Sequence, residues 1–454
     1  MRKINNLGTD NIKDLVIRLS VPAMIAQFIN VLYSIVDRIF IGNIPNIGEI
    51  ALAGVGICGP IVTLISSFST WIGIGGSPLM SISMGEKNKK LARRILANCF
   101  IMLIIMSLLL TLILFVFKNK LLMFFGASIV TFQYANEYMS IYILGSIFAI
   151  ISMGMNTFII CQGFSRIAMI TVLVGAISNI ILDPVFIFIL NMGVSGAAIA
   201  TVISQFFSCL FVLWFLFSDY PQIRITFRGY NINIIKNVLI TGFSPFIIIA
   251  LDSVLIIAIN MALQYYGGEG YGDKLVACHT IAQSFFLMVT LPMAGITGST
   301  QPILGYNYGA GNIKRVKEGQ KYTLYVCVIF TTIMMILAHT ISPYFVKLFT
   351  SDKIYINLSV RAIKIFTIMI IPLAFQYVIV DGFTGISAVN YSIVLSCFRK
   401  FIYFIAMIIF PLIIGVENIF YAEPIVDLIS AIVSIIVYLK IMNNLLNRRI
   451  KILN

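Results

Sequence analysis

The sequence predicts an all-α polytopic membrane protein, with twelve transmembrane helices in two pseudo-symmetric six-helix bundles around a central cavity. Three observations predict it. Of the 454 residues, 60% are hydrophobic and 11% charged, and a mean hydropathy of +1.01 lies outside the range of ordinary soluble domains. Apolar runs of about 18 or more residues recur, the length at which a helix crosses roughly 30 Å of hydrocarbon, and they are continuous rather than alternating, which selects helices over a barrel. The motifs of the first half also return, in order, in the second.

Taken in order, the spans lie at 15–42, 51–82, 92–117, 134–161, 168–190, 194–218, 236–266, 275–303, 319–341, 357–384, 391–414 and 418–441. The first follows MRKINNLGTDNIKDLVIRLS, which has no compact apolar stretch with a small-residue cleavage site. It is therefore expected to act as its own signal and stay in place. Spans two and three are joined by the basic stretch GEKNKKLARR, four and five by CQGF, and five and six by a turn before GVSGAAIAT. Ser218 to Lys236, with Pro221 and Gly229, is the longest polar segment and reads as a linker over 221–235 between an N-lobe, 1–220, and a C-lobe, 236–454. Span seven repeats the proline of span one, Pro245 for Pro22. Span eight runs into ILGYNYGAGNIKR, which matches SMGEKNKK: Pro78 and Pro302, Gly85 and Gly309, Asn88 and Asn312 share one offset. CQGF (Cys161 to Phe164) is echoed by VDGF (Val380 to Phe383) at a slightly shorter one. Six spans per copy leave both copies in the same orientation, so the halves are expected to be related by an axis along the membrane normal.

Charge sets the orientation. Most of the 31 lysines and arginines, including Lys87, Lys89, Lys90, Arg93, Arg94, Lys314, Arg315 and Lys317, fall on one side. The other side holds Lys118, Lys120, Lys274, Lys347, Lys353, Arg361 and Lys364, while Arg38 lies inside span one. This places both termini in the cytoplasm and accounts for the net charge of +14 without a nucleic-acid partner. The seven cysteines lie in or beside spans at no paired spacing and read as reduced packing residues.

Four of the 17 acidic residues, Asp37, Asp183, Asp252 and Asp381, lie well inside spans. Each deep carboxylate costs about 2.5 to 3.5 kcal/mol on insertion scales, so such groups face a cavity or tie helices together. In NIILDPVFIF, Asn179 and Asp183 share a helix face, and Pro184 cannot donate to the carbonyl of Ile180. A carboxylate, an amide oxygen and a free carbonyl within one turn suit a small hard cation or a proton. Thr201 and Asn156 on neighbouring spans would complete the shell, and Asp37 would supply a second carboxylate. The plainer reading is a proline kink with a polar staple. In the second half Asn260 takes the repeat position of Asp37, leaving Asp252, Asn260, His279, Gln283 and Asp381 as a polar group. His279 either titrates or bonds helix to helix; it has no His or Cys partner at metal-ligand spacing, since His339 lies on another span. Twenty Met and 35 Phe suit an adaptable apolar cavity, and equally a lipid-facing surface.

VDRIFIGNIPNIGEIALAGVGICGP (Val36 to Pro60), SPLMSISMGEKNKKLARR and LDPVFIFILNMGVSGAAIATVISQ (Leu182 to Gln205) resemble, in order and over essentially the whole chain, motifs of the MATE family, the multidrug and toxic compound extrusion transporters. The resemblance is nearer to the bacterial DinF and MepA-type branch than to the NorM branch. It implies twelve helices around a V-shaped cavity opening alternately to either side, and a cargo of small amphipathic or cationic drugs exported against protons or sodium. By motif, Asp37, Asn179, Asp183 and Thr201 match the family's N-lobe cation site, as sodium ligands if sodium is the ion; Asn156 supports it, and Pro22 and Pro184 are hinges. Asp252 and Asp381 match the NorM-type C-lobe site only by span. No cofactor other than H+ or Na+ is implied, and the chain is expected to work as a monomer in the plasma membrane.

A lipid-linked oligosaccharide flippase of the same superfamily is the alternative, against which twelve spans and internal carboxylates both argue. An embedded enzyme would need HExxH or GxSxG, and ATP-driven export a Walker motif; neither is present in the sequence.

Overall fold

The computed structural model describes residues 5–125, 127, 129–268, 271–350 and 352–453. Its helices are α1 (Ile12–Gly42), α2 (Gly48–Gly85), α3 (Lys89–Phe124), α4 (Ile129–Cys161), α5 (Ser165–Pro184), α6 (Gly193–Phe217), α7 (Ile232–Gly267), α8 (Tyr271–Gly309), α9 (Ile313–Thr340), α10 (Ser342–Lys347), α11 (Lys353–Phe366), α12 (Ile370–Gly385), α13 (Val389–Ile414) and α14 (Ala422–Leu453). Among the described residues there is no strand. Among the described residues eleven helices are long and apolar enough to cross a membrane, and α11 with α12, bent by 49° at their break, form a twelfth span in two pieces.

That break, absent from the single span expected at 357–384, has a local cause. Pro372 in the first turn of α12 has no N–H for the carbonyl of Ile368, so the ladder stops at Thr367 N–H to Ile363 and resumes at Leu373 N–H to Met369. The same deficiency acts at Pro184, where α5 passes into a π-helical turn, Val185–Ile189. The short α10, unforeseen in the sequence, opens with Pro343 in its first turn.

The internal repeat is written in the turns. Asn88 caps α3 by accepting from Leu91 N–H at 3.0 Å, and Asn312 caps α9 by accepting from Arg315 N–H at 3.3 Å. The residues before them, Lys87 and Gly311, both have positive φ, 59° and 73°. At the same offset Gly163 corresponds to Ser387 and Asn191 to Gly415, again all with positive φ. This corrects the CQGF–VDGF echo. Gly382 of VDGF sits inside α12, where a Cβ would collide with the Gln320 amide, whereas the turn equivalent to Gly163 lies at Ser387.

The chain divides into two compact units, Met1–Asn6 with Ile25–Ala250, and Leu7–Met24 with Leu251–Asn454. Helix α1 passes from the second unit to the first just after Pro22, and α7 from the first to the second at Ala250–Leu251. The polar segment 221–235 belongs to the first unit. Within that unit α4 packs against α2, α3, α5 and α6; within the second, α12 packs against α8, α9, α13 and α14. Ile105, Leu108, Leu109, Leu112, Ile113 and Val116 along α3 are exposed, as a lipid-facing surface requires. Cysteines 58, 99, 161, 209, 278 and 327 are buried and unpaired, and Cys397 is half-buried and unpaired.

Candidate functional site

In the first unit α5 presents Asn179 and Asp183 one turn apart, both buried. Asn179 Nδ2 donates to Asp183 Oδ1 at 3.0 Å and reaches Thr201 Oγ1, on α6, at 3.4 Å. From α1 the carboxyl of Asp37 comes within hydrogen-bonding reach of Asp183. Asp37 Oδ1, Asp183 Oδ2 and Asn179 Oδ1 are buried and have no donor among the described residues. Two carboxylates cannot face one another in a poorly solvated place without a proton or a cation between them. The unanswered oxygens are acceptors of the kind a proton or a hard monovalent cation satisfies. Among the described residues no group of three or more His, Cys, Asp or Glu could hold a metal ion.

The structure brings together Asp37, Asn179, Asp183 and Thr201 but leaves Asn156 elsewhere. Asn156 Nδ2, on α4, reaches the carbonyl of Ala168 at 3.4 Å. Ala168 precedes Asp183 by about four turns, roughly 22 Å of helix, so the amide joins α4 to α5 at another level. Three tyrosines take the place expected for it. Tyr33 neighbours Asp37 and Asp183, and Tyr138 neighbours Asp37 and bonds Thr201. Tyr142 stacks on Tyr138, with centroids 6.0 Å apart, and its hydroxyl meets Gln205 Nε2 at 3.4 Å.

In the second unit the polar residues form a charged layer. Arg399 on α13 donates to Asp427 on α14 from Nε at 3.0 Å and Nη2 at 2.8 Å, and from Nη2 to Glu423 at 2.5 Å. All three are buried. Lys400 pairs with Asp252 of α7. Asp381 bonds Thr297 and Gln301 of α8, and Tyr377 lies among Arg399, Asp252, Asp427 and Asp381. The group of five expected here is therefore divided. Asp252 and Asp381 share the charged layer, and the buried Oδ1 of Asn260 has no partner among the described residues. His279 packs edge-on to Phe366 and parallel to Phe420, at 5.9 and 6.4 Å between centroids. Its place on α8 is about 27 Å of helix from Thr297, and Gln283, one turn from His279, is likewise remote.

A model of the MatE family matches residues 22–185 and again 249–408. The chain belongs to the MatE family. Each half of this MatE protein carries its own match, as the repeated turns require. The multidrug export protein MepA of Staphylococcus aureus (strain N315) is 24% identical over 348 residues, 76% of this chain and 75% of the relative. That of Staphylococcus haemolyticus (strain JCSC1435) is 25% identical over 352 residues, with the same coverage. The fold is that of a multidrug resistance MATE transporter of the MOP superfamily solved in an outward-facing conformation, with a TM-score of 0.90, 23% identity, and 98% and 99% of the two chains covered. A MOP superfamily transporter from Pyrococcus furiosus, described as having a binding pocket of reversed polarity, matches with a TM-score of 0.91 at 23% identity over the same shares. The MatE protein is a membrane transporter, not an enzyme.

Sequence reading of this MatE chain missed the tyrosines and Arg399, Lys400, Glu423 and Asp427. Signals existed in the spacing. Tyr33 precedes Asp37 by one turn, Tyr138 and Tyr142 are one turn apart, and so are Glu423 and Asp427. Arg399 and Lys400 stand well inside the span expected at 391–414, which is itself a local signal; what the sequence does not show is that carboxylates on other helices meet them.

Proposed function

We propose that the protein is a secondary active antiporter that exports cationic and other amphipathic drugs in exchange for protons or sodium ions, by alternating access. The observation that carries this reading is the facing pair Asp37 and Asp183, with buried oxygens unanswered on both and on Asn179. The relatives named multidrug export proteins support the cargo class. Asp37, Asn179, Asp183 and Thr201 hold the coupling ion, and in a sodium-coupled cycle they are the sodium ligands. The ion entering the pair and the drug compete for the same negative charge, so binding one releases the other. Neutralising the pair relaxes α1 about Pro22, which lies just ahead of the point where that helix changes unit. At about 100 mV one charge crossing the membrane is worth about 2.3 kcal/mol, enough to sustain a drug gradient of roughly 50-fold.

In the second unit Lys400 and Arg399 already neutralise carboxylates, which favours coupling through the first unit alone. The protein acts as a monomer in the plasma membrane with both termini in the cytoplasm. The flippase alternative is not favoured, because that cargo needs unpaired cations among the membrane-spanning helices, while Arg399 and Lys400, which lie within α13, are consumed in ion pairs. Ethidium efflux from vesicles under an imposed pH or sodium gradient, one at a time, tests the reading. Asp37→Asn and Asp183→Asn should each abolish gradient-driven efflux in protein that remains folded; efflux retained by both removes the pair from the mechanism.

A further inference from the structure

The first unit carries, where the start of α3 meets the segment between α6 and α7, a cavity of 320 Å³ lined by Lys90, Arg93, Arg94, Thr226, Arg228 and Gly229. Its four cations come from two separate pieces of chain. None of them forms an ion pair with a described carboxylate, whereas Arg224, on the same segment as Arg228, is paired with Asp219. The N-terminus of α3, at Lys89, adds the positive end of its dipole to the same place.

The gathering of these charges is built into the fold. Gln162 at the end of α4 clamps the segment through both its amide atoms: Oε1 accepts from Ile223 N–H at 2.8 Å and Nε2 donates to Ile223 O at 3.1 Å. Asn98, fully buried on α3, donates to Gly229 O at 3.2 Å and accepts from Asn231 N–H at 3.0 Å. Gly229 has φ of +83°, and a Cβ there would stand 2.8 Å from Cγ of Arg94. The backbone is thereby pressed against Arg94, and Arg228 is delivered beside it. Four like charges held in one cavity repel, and none of them is paired with a described carboxylate within 4 Å.

We propose that this cavity binds the phosphate of an anionic phospholipid headgroup. Guanidinium groups match phosphate oxygens in pairs, and basic pockets at the membrane surface of helical proteins recognise such headgroups. The surroundings favour a lipid over a free anion. Phe227, next to Arg228, stacks on Phe217 with centroids 5.9 Å apart, and both rings meet Phe100 edge-on. Phe217 and Phe227 are exposed, giving an apolar surface for acyl chains beside the charged cavity. On the orientation proposed above, the lipid is drawn from the cytoplasmic leaflet and holds the connecting segment to α3.

Native mass spectrometry of the full chain, taken from nanodiscs of phosphatidylcholine with and without phosphatidylglycerol, tests this. The wild type should retain a tightly held phosphatidylglycerol. The triple variant Arg93→Gln, Arg94→Gln, Arg228→Gln should bind it more than tenfold more weakly. The control Lys440→Gln, Lys451→Gln removes charge elsewhere and should bind it as the wild type does. Inorganic phosphate and glycerol 3-phosphate should not displace the lipid. An unchanged triple variant, an equal loss in the control, or displacement by either soluble anion at matched concentration overturns the proposal. Ethidium binding and the thermal midpoint of each variant, measured in parallel, separate a failure of this site from failure of the transport reading or of folding.

Discussion

Arg399 gives two hydrogen bonds to a single oxygen of Asp427, from Nε at 3.0 Å and from Nη2 at 2.8 Å, while the other carboxylate oxygen has no donor among the described residues. A buried ion pair adds little net stability when intact, because desolvation offsets attraction, yet removing one partner strands the other and costs about 3 to 5 kcal/mol. Arg399→Met should therefore lower the thermal midpoint sharply or prevent accumulation. Adding Asp427→Asn and Glu423→Gln should restore much of the loss. If the single and triple variants melt alike, the layer is not held as a charge network.

Lys400 acts on the more open side of the same layer, where it covers Asp252, a carboxylate whose side chain is 44% exposed. Partly exposed pairs contribute only about 0 to 1 kcal/mol, so Lys400→Met should leave the fold intact and release an uncompensated negative charge. The expected result is ethidium binding severalfold tighter than in the wild type, reversed by adding Asp252→Asn. Unchanged binding in the purified variant would show that Asp252 lies out of reach of the drug.

Gly242 allows the first part of α7 to pack on α2 at backbone contact. A Cβ there would collide with the carbonyl of Trp71, whose indole N–H donates to Leu239 O at 2.8 Å and whose ring stacks on Phe246 at 4.4 Å. The blocking atom is backbone, so α7 itself must move. Gly242→Ala should destabilise the protein by about 1 to 3 kcal/mol, read as a lower thermal midpoint in detergent. Gly298→Ala, where nothing lies within 4 Å of the added carbon, is the matched control and should melt as the wild type does.

What was legible in the sequence follows from the range of the forces involved. Span number and length depend on hydropathy along the chain, and capping by Asn88 and Asn312 depends on residues three positions away, so both could be read locally. That Asn179, Asp183 and Thr201 lie together could be read locally, because an i, i+4 pair and a small-residue helix start mark the α5–α6 hairpin. Asn156 was misplaced because which level of α5 it faces depends on how far α4 slides along it, which no local pattern encodes. The charged layer was missed for a related reason: Arg399 and Asp427 meet across two helices, and although each stands inside an expected span, the sequence does not show that they face one another. The break at Pro372 was missed although its cause is local, because unbroken apolarity concealed the missing donor.

Pro184 ties the site to the backbone that carries it. It withholds a donor from Ile180, and the helix responds by widening: Leu190 N–H bonds Val185 O at 2.9 Å and Met192 N–H bonds Phe186 O at 3.0 Å. Gly196 of α6 sits against this wide turn, since a Cβ there would be 2.7 Å from Phe186 O. Asp183 thus stands two residues ahead of a change of helical pitch at Val185, and its direction toward Asp37 depends on that change. Pro184→Ala supplies an N–H for Ile180 and removes the cause of the widening. The variant should be at least as stable as the wild type, because a hydrogen bond is gained, while gradient-driven ethidium efflux should fall about tenfold or more as Asp183 turns from Asp37, a loss of about 1.4 kcal/mol in the coupled step. Efflux from vesicles and thermal midpoints, measured on the same preparation, distinguish the outcomes. A stable variant with unimpaired efflux would mean that the π-helical turn serves packing against Gly196 and has no part in aiming the carboxylate.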